Sequence, residues 1–291
     1  MNQPNTLYKY VRPGSLKLIL ENQSLRFPTP KEFNDPFDCN FPSYLGSINM
    51  EKIFIKSFPR SMGEDKKKLL AHIKRENVFS GFHEMILSNI EDVRKSWDEY
   101  IENYRVLCLA KEKDNILMWS HYAVNHSGTV VGFDTSAEKF TSEARPVSYP
   151  NKNNTLDEQM KVHLAEVFKY IINHKDGIDA AFSEGNAFLN HPNKSLLLAK
   201  YVINKLSPFF YVKKTIWEYE NEFRFIRQKR NPDSEWLKFD ISSVSDVTFG
   251  IKTSASEKEQ VIALLKEYKA TPSVYQAVKK NAEMVFAPMR L

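Results

Sequence analysis

Glycine is scarce in this sequence. Nine occur in 291 residues, about half the usual share of roughly 7%, and the nearest two, Gly128 and Gly132, lie in a strand-like run. The glycine-rich phosphate cradles of Rossmann and P-loop proteins need clustered glycines for tight turns and close backbone approach. Those routes are excluded, so any dinucleotide must be held another way. Cysteine is scarcer still: Cys39 and Cys108 are the only two, which makes no disulfide framework and no metal-ligand spacing. Long apolar runs are missing as well. The best candidate, residues 195–212, is interrupted by Lys200, Lys205 and Pro208, short of the roughly 20 residues that cross a bilayer. The first residues lack the apolar stretch of a secretory signal. A cytoplasmic address with no membrane partner is the expectation. A net charge of +5 suits attraction of a phosphate-bearing ligand, but is too dilute to argue for nucleic-acid binding by itself.

What is present is a large apolar content, 42% hydrophobic and 13% aromatic, enough for a substantial core. Short strand patterns fall at 7–11, 25–27, 105–110, 128–133, 211–213, 217–228, 236–240 and 244–249, with two late ones at 273–278 and 283–287. Leu16, Ile19 and Leu20 give a short helical face. Ser256 to Glu259 reads as a capping box ahead of the apolar face of Val261, Leu264, Leu265 and Tyr268. Two lysine- and glutamate-rich blocks, about 49–104 and 155–207, show helical spacing, as at Phe79, Phe82, Ile86, Ile90 and Val93. The second block is entered through an Asn- and Lys-rich boundary at 150–155. The expected architecture is α+β: one domain over 1–291, a mixed β-sheet core carrying two helical insertions.

Polar chemistry gathers in three places. If Trp217 to Ile226 is a strand, Trp217, Tyr219, Phe223 and Phe225 point one way and Glu218, Glu220, Glu222 and Arg224 the other. The plain reading is a solvated charged face behind a packed aromatic one. Yet three carboxylates on one face repel, and such a row becomes useful where positive charge develops, as when a bond to an anomeric carbon breaks. The second segment, Asn115 to Gly128, offers Trp119, His121 and Tyr122 as stacking and hydrogen-bonding groups, or as core aromatics with a satisfied histidine. His121 and His126 are five apart, not the i, i+4 pairing of a helical zinc site, so no metal is expected. In the third, Arg26 can present a planar fork to phosphate, while Asn34 and Asp35 suit a structural turn before Pro36.

Taken together, Leu7-Tyr8-Lys9-Tyr10, Leu25-Arg26-Phe27, Phe33 to Asp38, Leu107-Cys108-Leu109, Met118 to Ala123 with Gly128, Lys213 before Trp217 to Arg224, and Phe249 to Lys252 resemble the domain of unknown function 2971 family. Their order is also similar, at the level of fold, to ADP-ribosyltransferases, which bind NAD in the cleft of a split, mixed sheet without a glycine-rich loop. That resemblance implies roles. Glu222 would contact the ribose and stabilise the oxocarbenium, and Glu220 would position or deprotonate an acceptor. Lys9 or Tyr10 would hold the early-strand position, where such transferases usually carry His or Arg. Tyr122 would stack on nicotinamide and Arg26 or Arg224 would meet the pyrophosphate. The implied function is an NAD-consuming ADP-ribosyltransferase or NAD glycohydrolase, a bacterial toxin or anti-phage effector, with NAD as substrate and a protein or nucleic-acid acceptor. Two other readings stay open: a nucleic-acid enzyme or binder using the acidic strand with Mg²⁺, and a non-catalytic sensor or partner-binding module.

Overall fold

The protein is described by a computed structural model, which covers residues 3–39, 49–57, 90–149, 207–229 and 235–291, with single positions at 67, 71, 161, 162, 165 and 169. The chain divides into two compact units. Met1–Asp38, Ile101–Tyr149 and Tyr211–Leu291 make the first; Cys39–Tyr100 and Pro150–Phe210 make the second.

The first unit is built on an eight-stranded sheet. Its strands are β1 (Thr6–Val11), β3 (Tyr104–Ala110), β4 (Thr129–Asp134), β5 (Arg145–Pro146), β6 (Glu222–Gln228), β8 (Val244–Phe249), β9 (Ser273–Lys280) and β10 (Glu283–Met289), in the order β10-β9-β8-β4-β1-β3-β6-β5. A small second sheet pairs β2 (Ser24–Arg26) with β7 (Trp236–Lys238). All pairs are antiparallel except β8 with β9. Those two are joined through helix α6 (Ala255–Glu267), the kind of crossover that parallel neighbours require.

One sheet face packs Leu7, Leu107, Val131, Phe133, Val247 and Phe249 against Leu16 and Leu20 of helix α1 (Ser15–Asn22) and Val261 and Leu265 of α6. Each such side chain contributes about 1.5–3 kcal/mol on burial. The other face packs Tyr10, Ala110 and Val130 under Met118, Trp119 and Ala123, from helix α4 (Ile116–His121) and the turn after it. A short helix, α5 (Lys139–Ser142), follows β4. Between β1 and β3 the ladder reduces to one registered pair, Tyr8↔Ala110. Beyond it, the Cys108 carbonyl accepts a hydrogen bond from Lys9 Nζ at 2.8 Å. A side chain thus satisfies a group of a kind that is seldom left unpaired when buried.

In the second unit, helix α2 (Met50–Ser57) is described, along with the part of α3 (Ile90–Glu102) that lies within it. Trp97 is fully buried against Tyr100 and Phe210, and its indole N–H donates to the Cys39 carbonyl at 2.9 Å. The expected helical spacing at Phe79, Phe82 and Ile86, the boundary at 150–155 and nearly all of the 155–207 block lie outside the described residues.

Several local expectations need correction. The strand over 217–228 begins only at Glu222: Thr215–Glu220 is a 3-10 helix ended by Asn221 in the left-handed region (φ 42°), which Asn tolerates better than most residues. Residues 211–213 form no strand. Ser207–Tyr211 is 3-10, and Val212 makes a single bridge to Ser148. The cap of α6 is Ser254, which accepts from the Glu257 N–H, two residues before the serine that the spacing picked. The charged face of the late segment is not solvated: Glu220, Glu222 and Arg224 are all buried, and Glu218 alone of the three glutamates is exposed.

Candidate functional site

Asn221 reverses the backbone between two glutamates, and both side chains enter one buried cluster. The Glu222 carboxylate accepts from Arg224 through Nε at 2.7 Å and Nη2 at 3.0 Å, a two-pronged contact that fixes its plane. Lys213 Nζ lies 2.5 Å from Glu220 Oε2, 3.1 Å from Glu222 Oε2 and 3.6 Å from Asp38 Oδ2. Arg224 Nη2 reaches Asp38 at 2.5 Å. The Tyr122 hydroxyl donates to Glu220 Oε1 at 2.6 Å. The Tyr149 hydroxyl accepts from the Glu222 backbone N–H at 3.0 Å. Among the described residues, three carboxylates therefore share two cations.

Local structure explains each placement. Lys213 is delivered by the bridge at Val212, and its own N–H donates to the Ser148 carbonyl at 3.0 Å. Asp38 ends a turn in which the Asp35 carboxylate accepts from the Phe37 N–H at 2.9 Å. Tyr122 follows α4, whose cap is Asn115: its side-chain oxygen accepts from the N–H groups of Leu117 and Met118, and its amide donates to the Tyr219 carbonyl at 2.6 Å. Aromatic rings cover both cations, Phe33 over Arg224 at 5.4 Å and Trp217 over Lys213 at 5.1 Å.

The two glutamates are pushed apart electrostatically. Burial works to raise the Glu222 carboxyl, but Arg224 and Lys213 outweigh it and hold the group at about 2. For Glu220, burial dominates, and repulsion by Glu222 adds to it against the pull of Lys213, so its affinity for a proton is raised. Burial also opposes the charge on Lys213, yet Glu222, Glu220 and Asp38 keep it firmly protonated. The Tyr122 phenol is raised by burial and then by the Glu220 charge, so it stays a donor. One carboxylate is fixed as an anion and its neighbour is the readier proton acceptor, the pattern that divides acid–base roles.

The cluster borders a cavity of about 220 Å³. Lys9 and Tyr10 of β1, Val106 and Cys108 of β3, and Asn34 and Asp35 join Glu220, Glu222 and Tyr122 around it. Of the residues singled out from sequence, those seven (Lys9, Tyr10, Asn34, Asp35, Tyr122, Glu220 and Glu222) come together. Arg224 belongs to the cluster, but its fork is spent on Glu222 and Asp38. Trp119 is fully buried in the core, its indole N–H on the Lys113 carbonyl at 2.7 Å. His121 is exposed, with its ring 6.4 Å from that of Tyr219. Arg26 is exposed and paired with Glu32. None of these last three lines the cavity. Sequence reasoning assigned no role to Lys213 or Asp38. The signal for Lys213 was available: a row of carboxylates that would enter a core needs a cation nearby.

Among the described residues, no group of three His, Cys, Asp or Glu is arranged to hold a metal ion, and no helix is long and apolar enough to cross a membrane. The family described as "Protein of unknown function (DUF2971)" matches residues 118–225, a stretch that runs from α4 through Glu222 and Arg224. No curated protein and no solved structure matches the chain.

Proposed function

We propose, from the match of residues 118–225 to the family described as "Protein of unknown function (DUF2971)" and from the geometry of the cluster, that the chain breaks the N-glycosidic bond of NAD, as an ADP-ribosyltransferase or NAD glycohydrolase. One observation carries the reading: Glu220 and Glu222 border the same cavity with their proton affinities driven in opposite directions. In the step proposed, the bond between ribose C1′ and the nicotinamide nitrogen breaks. Its electron pair leaves with nicotinamide, which becomes neutral. The oxocarbenium left at C1′ is met by the anionic Glu222, in the way carboxylates stabilise such centres. An acceptor O–H or N–H, water included, then bonds to C1′ and gives its proton to Glu220, to which Tyr122 donates.

The size of the cavity fits a part of that substrate. At about 220 Å³ it is smaller than the roughly 300–1,000 Å³ that takes a drug-sized ligand whole. It suits the reacting nicotinamide–ribose end, with Tyr10 and Tyr122 as ring surfaces and Lys9 as the cation at the opening between β1 and β3. The Mg²⁺ reading is less favoured, because Asp38, Glu220 and Glu222 already face Lys213 and Arg224, two fixed cations that would repel a divalent ion.

The test is to incubate the purified chain with NAD and follow nicotinamide release and ADP-ribose attachment separately. Glu222→Gln should lower the rate about 10²–10³-fold, but it also breaks a buried ion network, so its stability must be measured alongside. Glu220→Gln gives the cleaner separation. It should suppress transfer to an acceptor more than hydrolysis, while the fold persists. No nicotinamide release from folded wild-type protein, with any biological trigger supplied, ends this reading.

A further inference from the structure

A second cavity lies against the edge strand β5, which ends the eight-stranded sheet. It measures about 1070 Å³, enough for a whole small-molecule ligand, where the first cavity takes only part of one. The described residues that line it all belong to the first unit. Ala144, Val147, Phe223 and Phe225 give it an apolar wall, and Tyr149 and Tyr211 add two phenol rings. Glu222 borders this cavity as well as the first.

The charges on this wall do not cancel. Arg145 is exposed, and its guanidinium lies 5.7 Å over the Tyr211 ring. Among the described residues, no carboxylate pairs with it or with the exposed Lys111 ammonium. Three carboxylates line the cavity too. Glu222 is held by Arg224 and Lys213, and Glu143 pairs with Lys139 at 3.5 Å. Glu218 alone of the three lacks a cation among the described residues, so two open cations face one open carboxylate. A guanidinium laid on a ring with its fork unspent suits the two-pronged capture of phosphate. Apolar and aromatic walls suit a flat base, whose N–H groups give the remaining carboxylate a donor. Arg26 and Arg224 are both paired and line neither this cavity nor the first. We infer that the second cavity binds a nucleotide, its phosphates on Arg145 and Lys111 and its base against the apolar wall. That group has two sources: a free nucleotide, or the ADP half of an NAD molecule whose nicotinamide end occupies the first cavity. The binding does not rest on the NAD reading; the second source does.

The experiment uses the full chain and ADP carrying a fluorophore on its ribose, with binding read by anisotropy. Wild-type protein should bind it, and unlabelled ADP should displace it where adenosine does not. Arg145→Met should weaken binding about tenfold or more, the scale of one charge-assisted contact. Arg145 is exposed, and unchanged melting confirms that the variant is folded; Lys111→Met, at a second exposed cation, replaces it if not. Arg26→Met, which lies on neither cavity, should bind as wild type does. The inference is overturned if wild type does not bind labelled ADP, or if adenosine displaces it as well as ADP does. It is overturned equally if the cavity variants bind like wild type, or if Arg26→Met weakens binding as much as they do. Nicotinamide release then separates the sources. A raised KM for NAD in Arg145→Met at unchanged kcat assigns the site to the ADP half of NAD. An unchanged KM beside lost ADP binding assigns it to a free nucleotide. If wild type binds ADP through Arg145 and releases no nicotinamide, the NAD reading falls and the nucleotide site stands.

Discussion

Two lysines are drawn into the first unit beside carboxylates, and they end in different surroundings. Lys113 pairs with Asp246, which also accepts from the Thr248 hydroxyl at 2.8 Å. Rings of Tyr275, Phe286 and Tyr8 lie 4.0, 5.3 and 5.9 Å from its ammonium. One cation meets one anion in an aromatic box, and the charges balance. Lys213 instead meets Glu220, Glu222 and Asp38, and even with Arg224 the cluster has, among the described residues, one carboxylate more than it has cations. That cluster also borders a cavity, whereas Lys113 does not. A balanced, boxed pair serves to lock a loop in place. A surplus carboxylate at a cavity keeps a group whose protonation can change.

The comparison can be tested by removing each cation. Arg224→Met should have the largest effect, a loss of about 3–5 kcal/mol, because it strands Asp38 and Glu222 in the interior. Equilibrium denaturation measures it, and a loss below about 1 kcal/mol would mean that the network is hydrated.

Acid should act next, through Glu222 and Glu220 in opposite senses. The folded Glu222 carboxyl is held at about 2 against an ordinary 4.5, so the stability it contributes is complete above about 4.5 and disappears as pH falls toward 2. The contribution is on the order of 3 kcal/mol. Glu220 has the opposite sign: its folded carboxyl is raised, so its contribution is present below the ordinary value and lost as pH rises through the raised one. Wild-type minus Glu222→Gln stability should therefore shrink between about pH 4.5 and 2, and wild-type minus Glu220→Gln should grow as pH falls toward 4.5. Parallel curves for both variants would remove the division of roles.

Lys113→Met should cost about 1–3 kcal/mol, since the methionine still fills the aromatic box while Asp246 loses its partner. Its effect on nicotinamide release should be no more than its effect on folding; a specific loss of rate would erase the distinction between lock and site. Tyr122→Phe should be mildest in stability, about 0.5–1.5 kcal/mol for one hydrogen bond. It should nonetheless alter the pH dependence of turnover, because the phenol donates to Glu220, the carboxylate proposed to take the proton. An unchanged pH profile would leave Tyr122 with packing alone.

How much of this was readable beforehand differs by residue. Alternation and short apolar runs placed β8 at 244–249, and β1, β3 and β4 within a residue at each end, because burial of one face or of both leaves an apolar pattern along the chain. The same alternation failed across Trp217–Glu220. A 3-10 helix and an extended strand share the aromatic–acidic sequence there, and the αL residue Asn221 that divides them carries no apolar signal. Spacing points to Ser256 as the cap, yet Ser254 caps, because the helix already starts at Ala255 and only backbone geometry sets that boundary. Glu220 stood out as one of three carboxylates on one expected strand face, and Tyr122 as a ring that can stack and hydrogen-bond. Trp119 stood out for stacking too and proved to be core.

By itself the sequence determined the α+β class, the absence of a glycine-rich phosphate cradle and the three segments where polar chemistry collects. Composition and period are local properties, and they survive without knowledge of the fold. Only the tertiary structure decided that Glu220 and Glu222 are buried rather than solvated, that Arg224 pairs with Glu222 and Asp38 and not with a ligand, and that Lys213 completes the cluster. Those outcomes depend on pairs far apart in the chain, Asp38 with Arg224 above all. The balance between the cost of burying a charge and the gain from pairing it is set by three-dimensional neighbours, which no spacing along the chain records.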